Sequence, residues 1–158
     1  MPDSKRIEPR RGLFWEELPA GTIFVTGART ITETDLVTLT TFAGINEPLF
    51  IDARRAKDFG YEGRLVPGVL TYTVAEGLIV QTGVFHDTGM AFLGATLRQV
   101  SPVYVGDTIH VEVEVTESRA SSKPGRGVVA SVARVLSDRN GLVLEYTPIR
   151  LVRSITTN

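Results

Sequence analysis

Pro67-Gly68-Val69-Leu70-Thr71-Tyr72-Thr73-Val74-Ala75-Glu76-Gly77-Leu78-Ile79-Val80 is apolar almost all the way round a helical wheel. Val69, Leu70, Tyr72, Val74, Ala75, Leu78, Ile79 and Val80 leave hardly any polar face, so a helix here has to be covered on every side. Proline suits the first helical turn, where its missing N–H has no intrahelical partner anyway. Gly83 is the predicted terminator. The rest of the chain therefore has to supply a wrapper.

The wrapper is legible on both sides. Downstream, Met90 to Val100 reads as a strand ended by Ser101-Pro102, and Ile109, Val111, Val113 and Val115 alternate with His110, Glu112 and Glu114. Val128 to Leu136 is a further strand behind a loop rich in Ser, Lys, Pro and Gly. Asn140-Gly141 then turns the chain into Leu142–Val152. Upstream, Gly21 to Ile31 reads as a strand begun by the Pro19-Ala20-Gly21 turn. Thr32, with Asp35 three residues on, fits a capping box. It precedes a helix with Leu36, Leu39, Thr40 and Ala43 on one face, stopped by Gly44. Ile45 to Phe50, which holds Pro48, is expected to be irregular. Asp52 caps a short helix through Lys57, and Tyr61 to Val66 is again irregular. Helices and strands that do not alternate indicate an α+β fold with an antiparallel sheet, here curled around the one apolar helix. Residues 13–158 are expected to form a single domain behind a loose polar tail, 1–12.

Composition narrows the function. Seventeen Lys and Arg against eighteen Asp and Glu leave a net charge of -1, which argues against a nucleic-acid partner. The absence of cysteine excludes disulfides, thiolate metal sites and a cysteine nucleophile. No run approaches the ~20 apolar residues that span a bilayer, and the N-terminus lacks a secretory core. A cytoplasmic protein without a membrane partner is the expectation. His86 and His110 are the only histidines; they are far apart and sit in no H-E-x-x-H pattern, so no metal site is expected.

Three segments carry a resemblance to a known family. Phe42-Ala43-Gly44-Ile45-Asn46-Glu47-Pro48-Leu49-Phe50-Ile51-Asp52 is similar to the hydratase motif S-G-D-x-N-P-L-H-x-D. Leu65-Val66-Pro67-Gly68-Val69-Leu70 looks like I-V-H-G-x-L. Ser101-Pro102-Val103-Tyr104-Val105-Gly106-Asp107-Thr108-Ile109 is similar to P-V-x-x-G-D-T-L. Together, over about Gly21 to Arg153, the chain resembles the MaoC-like dehydratases and R-specific enoyl-CoA hydratases. The resemblance implies a hot-dog fold, a curled sheet around a buried helix. It implies enoyl-CoA hydratase-like lyase chemistry of fatty acid metabolism, with coenzyme A entering only as part of the substrate and no other cofactor. In that family an Asp and a His five residues later hold the water, and a glycine N–H at the central helix polarises the thioester carbonyl.

The motif departs from the family where the chemistry sits. Ile45 falls at the Asp position, Phe50 at the His position and Pro67 at the second motif's His, while Gly68 is retained. Neither Ile nor Phe moves a proton, and general acid–base groups are worth roughly 10²–10⁴-fold each. Glu47 is the candidate replacement acid or base, against a solvated loop glutamate. Asn46 can orient a water or a thioester oxygen, or simply serve a turn. Gly68 can offer its N–H at the positive end of a helix, or serve close packing. Ile45, Phe50, Val66 and Pro67 are expected to shape the acyl pocket. His86, beside Asp87 in the loop after the helix, is a further substrate-side candidate, against a structural loop role. His110 reads as an exposed strand residue. Arg54, Arg55, Lys57 and Arg64 could meet coenzyme A phosphates, or form a solvated face.

The leading expectation is a hydratase- or dehydratase-like protein for acyl-CoA or acyl-carrier-protein thioesters, working as a homodimer or higher hot-dog oligomer. One rival is a non-catalytic acyl-binding subunit, hetero-oligomeric with an intact hydratase. The other is a hot-dog thioesterase with Glu47 as base.

Overall fold

The computed structural model describes residues 11–156. Of the expected tail, residues 1–10 lie outside the described residues, whereas Gly12 is buried and donates its N–H to the His86 carbonyl at 2.6 Å. A single 3-10 turn, Trp15–Glu17, follows.

Helix α1 spans Glu33–Ala43. Thr32 accepts from the Asp35 N–H at 3.2 Å, and the Asp35 carboxylate accepts from the Thr32 N–H at 2.8 Å, which closes the expected capping box. Gly44 ends the helix at φ 67, in the left-handed region. The stretch expected to be irregular contains a short helix, α2 (Pro48–Ile51). The reason is Pro48 itself: at the first helical position its fixed φ favours the turn. Helix α3 (Ala53–Asp58) is capped by Asp52, which accepts from the Arg54 N–H at 2.9 Å.

The apolar stretch forms α4, Gly68–Gln81. Leu70, Thr71, Val74, Ala75, Leu78 and Ile79 are buried, yet Val69 and Val80 stand 48% and 69% exposed. The wrapping is thus incomplete along one stripe, a correction to the expectation of burial all round.

Three stretches expected as single strands each come as two. Gly21–Ile31 gives β1 (Ile23–Val25) and β2 (Arg29–Thr30). Met90–Val100 gives β3 (Gly89–Gly94) and β4 (Leu97–Gln99). Between them and the chain's end come β5 (Thr108–Ala120) and β6 (Arg126–Ser137). Leu142–Val152 gives β7 (Gly141–Tyr146) and β8 (Ile149–Arg153), parted at Pro148, which has no N–H for the ladder. Every pairing is antiparallel: β5 takes β1 and β2 on one edge and β6 on the other. β6 pairs with β7 through Ala133–Ser137 and with β8 through Arg126–Ala130. β4 then pairs with β7, and β3 with β8.

The breaks fall on one line across the sheet. The register shift between Val115 and Glu117 in β5 faces Ala130 and Ser131, and the Ser131 N–H meets the Pro148 carbonyl at 3.1 Å. The Thr147 N–H in turn meets the Thr96 carbonyl at 3.0 Å, in the gap between β3 and β4. Aligned irregularities of this kind let a sheet bend. The bent sheet closes on α4, packing Val111, Val113, Val135 and Leu144 against Leu70, Val74, Leu78 and Ile79. Each such side chain contributes roughly 1.5–3 kcal/mol when fully buried. A second cluster, Leu18, Val115, Val129 and Val152, is covered by Leu13 and Trp15. No helix among the described residues is long and apolar enough to cross a membrane.

Candidate functional site

The segment from Gly44 to Gly68 is held by backbone bonds rather than by a long element. The Ile45 N–H reaches back to the Thr40 carbonyl at 3.0 Å, and the Phe50 N–H bonds to the Glu47 carbonyl at 2.9 Å. Leu65 donates to the Leu49 carbonyl at 2.9 Å, and Val66 to the Val103 carbonyl at 2.8 Å. An isolated bridge joins Leu65 to Tyr104. These bonds bring the first and second motifs against the third, so that Phe50, Val66 and Gly68 line one cavity of about 360 Å³.

Gly68 is the first residue of α4. Pro67 before it contributes no side-chain cap. The Leu70 and Thr71 N–H groups both reach the Pro67 carbonyl, at 2.9 and 3.2 Å. Among the described residues, the Gly68 and Val69 N–H groups have no acceptor. Gly68, which carries one of these free donors at the positive end of a fourteen-residue helix, lines the cavity. A Cβ at Gly68 would lie 3.1 Å from Gln99 Oε1, and Gln99 Nε2 is tied to the Ser101 carbonyl at 2.8 Å.

The remaining candidates sit around this cavity or away from it. Pro67 is buried between two lining residues. Ile45 is half-buried, Asn46 and Glu47 are exposed, and none of the three belongs to the lining. Glu47 serves as the backbone cap of α2, without a side-chain cap bond. His86 is exposed beyond the far end of α4, roughly 20 Å along the helix axis from Gly68 at 1.5 Å per residue. The structure does not bring it to the others.

Three of the four residues of the basic cluster are ion-paired. Arg54 pairs with Asp52 at 3.3 Å, Arg55 with Asp58 at 3.0 Å, and Arg64 with Glu33 at 2.5 Å. The Arg54 side chain, with its own backbone N–H, holds the Asp52 carboxyl below the usual range.

Three polar residues of the lining escaped the sequence reading: Tyr61, Gln99 and Ser101. Ser101 opens the third motif and gave a partial signal. Tyr61 and Gln99 gave none, since one opens an irregular stretch and the other stands at the end of a short strand. The cavity can accept a carbonyl oxygen on backbone N–H groups and seat apolar carbon against Phe50 and Val66. Among the described residues, its lining contains neither a carboxylate nor an imidazole.

Residues 19–135, well over half of the chain, match the family model described as MaoC like domain. The chain is 33% identical over 92 residues to the mitochondrial 3-hydroxyacyl-acyl-carrier-protein dehydratase FERN of Solanum lycopersicum, covering 58% of this chain and 53% of that protein. It is 36% identical over 81 residues to an (R)-specific enoyl-CoA hydratase of Aeromonas caviae, covering 49% and 59%. It thus spans little more than half the length of these curated relatives. Among solved structures, a monoamine oxidase regulatory protein from Archaeoglobus fulgidus superposes with a TM-score of 0.86 at 28% identity, over 95% of this chain and 100% of that one. The curled antiparallel sheet closed on α4 is a hot-dog fold. The chain belongs to the MaoC-like domain family, whose members include hydratases and dehydratases of acyl thioesters.

Proposed function

We propose that this chain holds an acyl thioester, of coenzyme A or an acyl carrier protein, with the carbonyl oxygen on the Gly68 N–H and the acyl carbons against Phe50 and Val66. The carrying observation is that Gly68, whose N–H is without an acceptor among the described residues, lines the cavity at the start of α4. The names of the two curated relatives, a hydroxyacyl dehydratase and an enoyl-CoA hydratase, support the substrate class. Water addition needs a group that moves a proton, and among the described residues the lining carries no carboxylate or imidazole for it. In this reading the chain is an acyl-binding subunit, and an intact hot-dog hydratase subunit supplies the acid and base. Strand β3 supports an assembly: among the described residues it pairs with β8 alone, and Met90, Phe92 and Leu93 are exposed along it. Unprotected apolar edges of this kind recruit another strand.

A second reading, a hydro-lyase active on its own through Glu47, is favoured by the position of that residue at the cap of α2, immediately before the helix that carries Phe50.

The test titrates the purified chain with butyryl-CoA and free coenzyme A, as wild type, Gly68→Pro and Gly68→Ala. Proline keeps the helix start and replaces the N–H with a ring carbon, and alanine controls for the added Cβ. Butyryl-CoA affinity is expected to fall about tenfold in Gly68→Pro, the worth of one such hydrogen bond, and to change little in Gly68→Ala. Equal affinity in all three overturns the assignment. Loss of the conjugated thioester of crotonyl-CoA with the chain alone establishes the second reading. Release of free coenzyme A makes it a thioesterase.

A further inference from the structure

Two turns along α4 from Gly68, about 12 Å at the helical rise, a second cavity of about 350 Å³ has a different character. Its walls are largely apolar, with Ile79, Val80, Phe85 and Phe92 among them, yet Glu76 and Arg150 share the lining. Arg150, on β8, is only 7% exposed. Its Nη2 donates to both oxygens of Glu76, at 2.6 and 2.8 Å, and Tyr146 Oη donates to Glu76 Oε1 at 2.6 Å. The guanidinium carbon lies over two rings, 5.2 Å from the centroid of Phe85 and 5.6 Å from that of Phe92.

The pair leaves donors over. Among the described residues, the buried Arg150 Nη1 has no hydrogen-bond partner. An orphaned N–H of a charged group is costly, and a buried ion pair gives little stability over well-packed apolar side chains. The cluster is therefore poorly explained as a device for stability. Its chemistry describes a ligand instead. Glu76 and Arg150 cancel in charge, so the cavity does not call for an ion. A carboxylate offers about four lone-pair positions, of which Glu76 uses three here. A hydroxyl oxygen can accept from Nη1 and donate to the remaining position.

We propose that this cavity recognises an uncharged oxygen substituent, a hydroxyl above all, on the distal part of a medium-length acyl chain. The proposal rests on the acyl-thioester reading, because the thioester would sit at Gly68 and the chain would run along α4.

The experiment compares the affinities of octanoyl-CoA, ω-hydroxyoctanoyl-CoA and suberoyl-CoA for the wild-type protein and for Glu76→Gln/Arg150→Met. The double change removes both charges together, so neither is left buried alone. The wild type is expected to bind ω-hydroxyoctanoyl-CoA about tenfold more tightly than octanoyl-CoA, because a site with unpaired donors rejects the analogue that lacks the oxygen. In the double variant that preference is expected to fall below about threefold. If the variant does not fold, the wild-type ratio alone decides. Equal or tighter binding of octanoyl-CoA overturns the proposal and leaves the thioester reading standing. Tightest binding of suberoyl-CoA overturns it in favour of an anionic terminus. No binding of any of the three overturns both.

Discussion

Asp107 and Arg139 form the tie between the third motif and the β6–β7 hairpin: Arg139 Nε donates to Asp107 Oδ1 at 2.6 Å. Asp107 is 1% exposed and also accepts from the Tyr104 N–H at 3.0 Å, while Arg139 is half in solvent and reaches Glu62 at 2.9 Å. Asp107→Asn keeps the size and one acceptor but loses the charge that meets the guanidinium. Stability is expected to fall by about 2 kcal/mol, below the full cost of breaking a buried pair because Arg139 stays hydrated. Urea unfolding at pH 7 checks this, and a change within 0.5 kcal/mol, the scatter of ordinary surface substitutions, would show that the bond does not bear on folding.

Asp35 gives a prediction in pH. Burial opposes its ionisation, but the Thr32 N–H and hydroxyl, followed by Arg29, outweigh burial and hold the carboxyl below the ordinary aspartate value of 3.8. A folded pKa below the unfolded one means stability that is present above pH 3.8 and lost as pH falls through the folded pKa. Asp35→Asn is therefore expected to cost about 1 kcal/mol at neutral pH, the usual worth of a cap. The deficit should shrink in acid below the aspartate range. Paired urea melts at neutral and acid pH measure it; a deficit independent of pH contradicts the assignment.

Gly127 has no side chain because Trp15 lies where a Cβ would be. Gly127→Ala is expected to destabilise by about 1–3 kcal/mol, the cost of overpacking. The penalty should largely vanish when Trp15→Ala is present. A double-mutant cycle by thermal or urea unfolding reads the coupling, and additive effects would place the strain elsewhere.

Glu47→Gln separates the two functional readings. Glu47 is exposed and outside the cavity lining, so butyryl-CoA affinity is expected to stay within about twofold. Hydration of crotonyl-CoA by the wild type that this change abolishes would transfer the chemistry to the chain itself.

Local signals carried much of the outline. Thr32 and Asp35, three residues apart, cap α1 as their spacing requires, and Gly44 ends it because only the left-handed region lets the chain turn there. Valines alternating with His and Glu place the inner face of β5 without reference to any other element. The three motifs together were enough for the hot-dog fold, and Gly68 was legible as the first residue of α4 because Pro67 marks the helix start. The caps, the alternation and the helix start depend on neighbours within a few positions, whereas the hot-dog fold was read from a family resemblance carried by three motifs spread from Phe42 to Ile109.

Tertiary structure decided what depends on distant partners. The line of breaks that bends the sheet exists only when β5, β6, Pro148 and Thr96 lie side by side. Tyr61 and Gln99 join the cavity through long-range pairing, so nothing near them in the chain announces it. The same holds for Glu76 and Arg150: one looks like the lone acid on an apolar helix, the other like an ordinary strand cation. Seventy-four positions apart, they become an ion pair with a spare donor only when β8 closes over α4. Periodicity and capping act along the chain, whereas a site is made across it, and the closing of the sheet determines which polar groups are buried together.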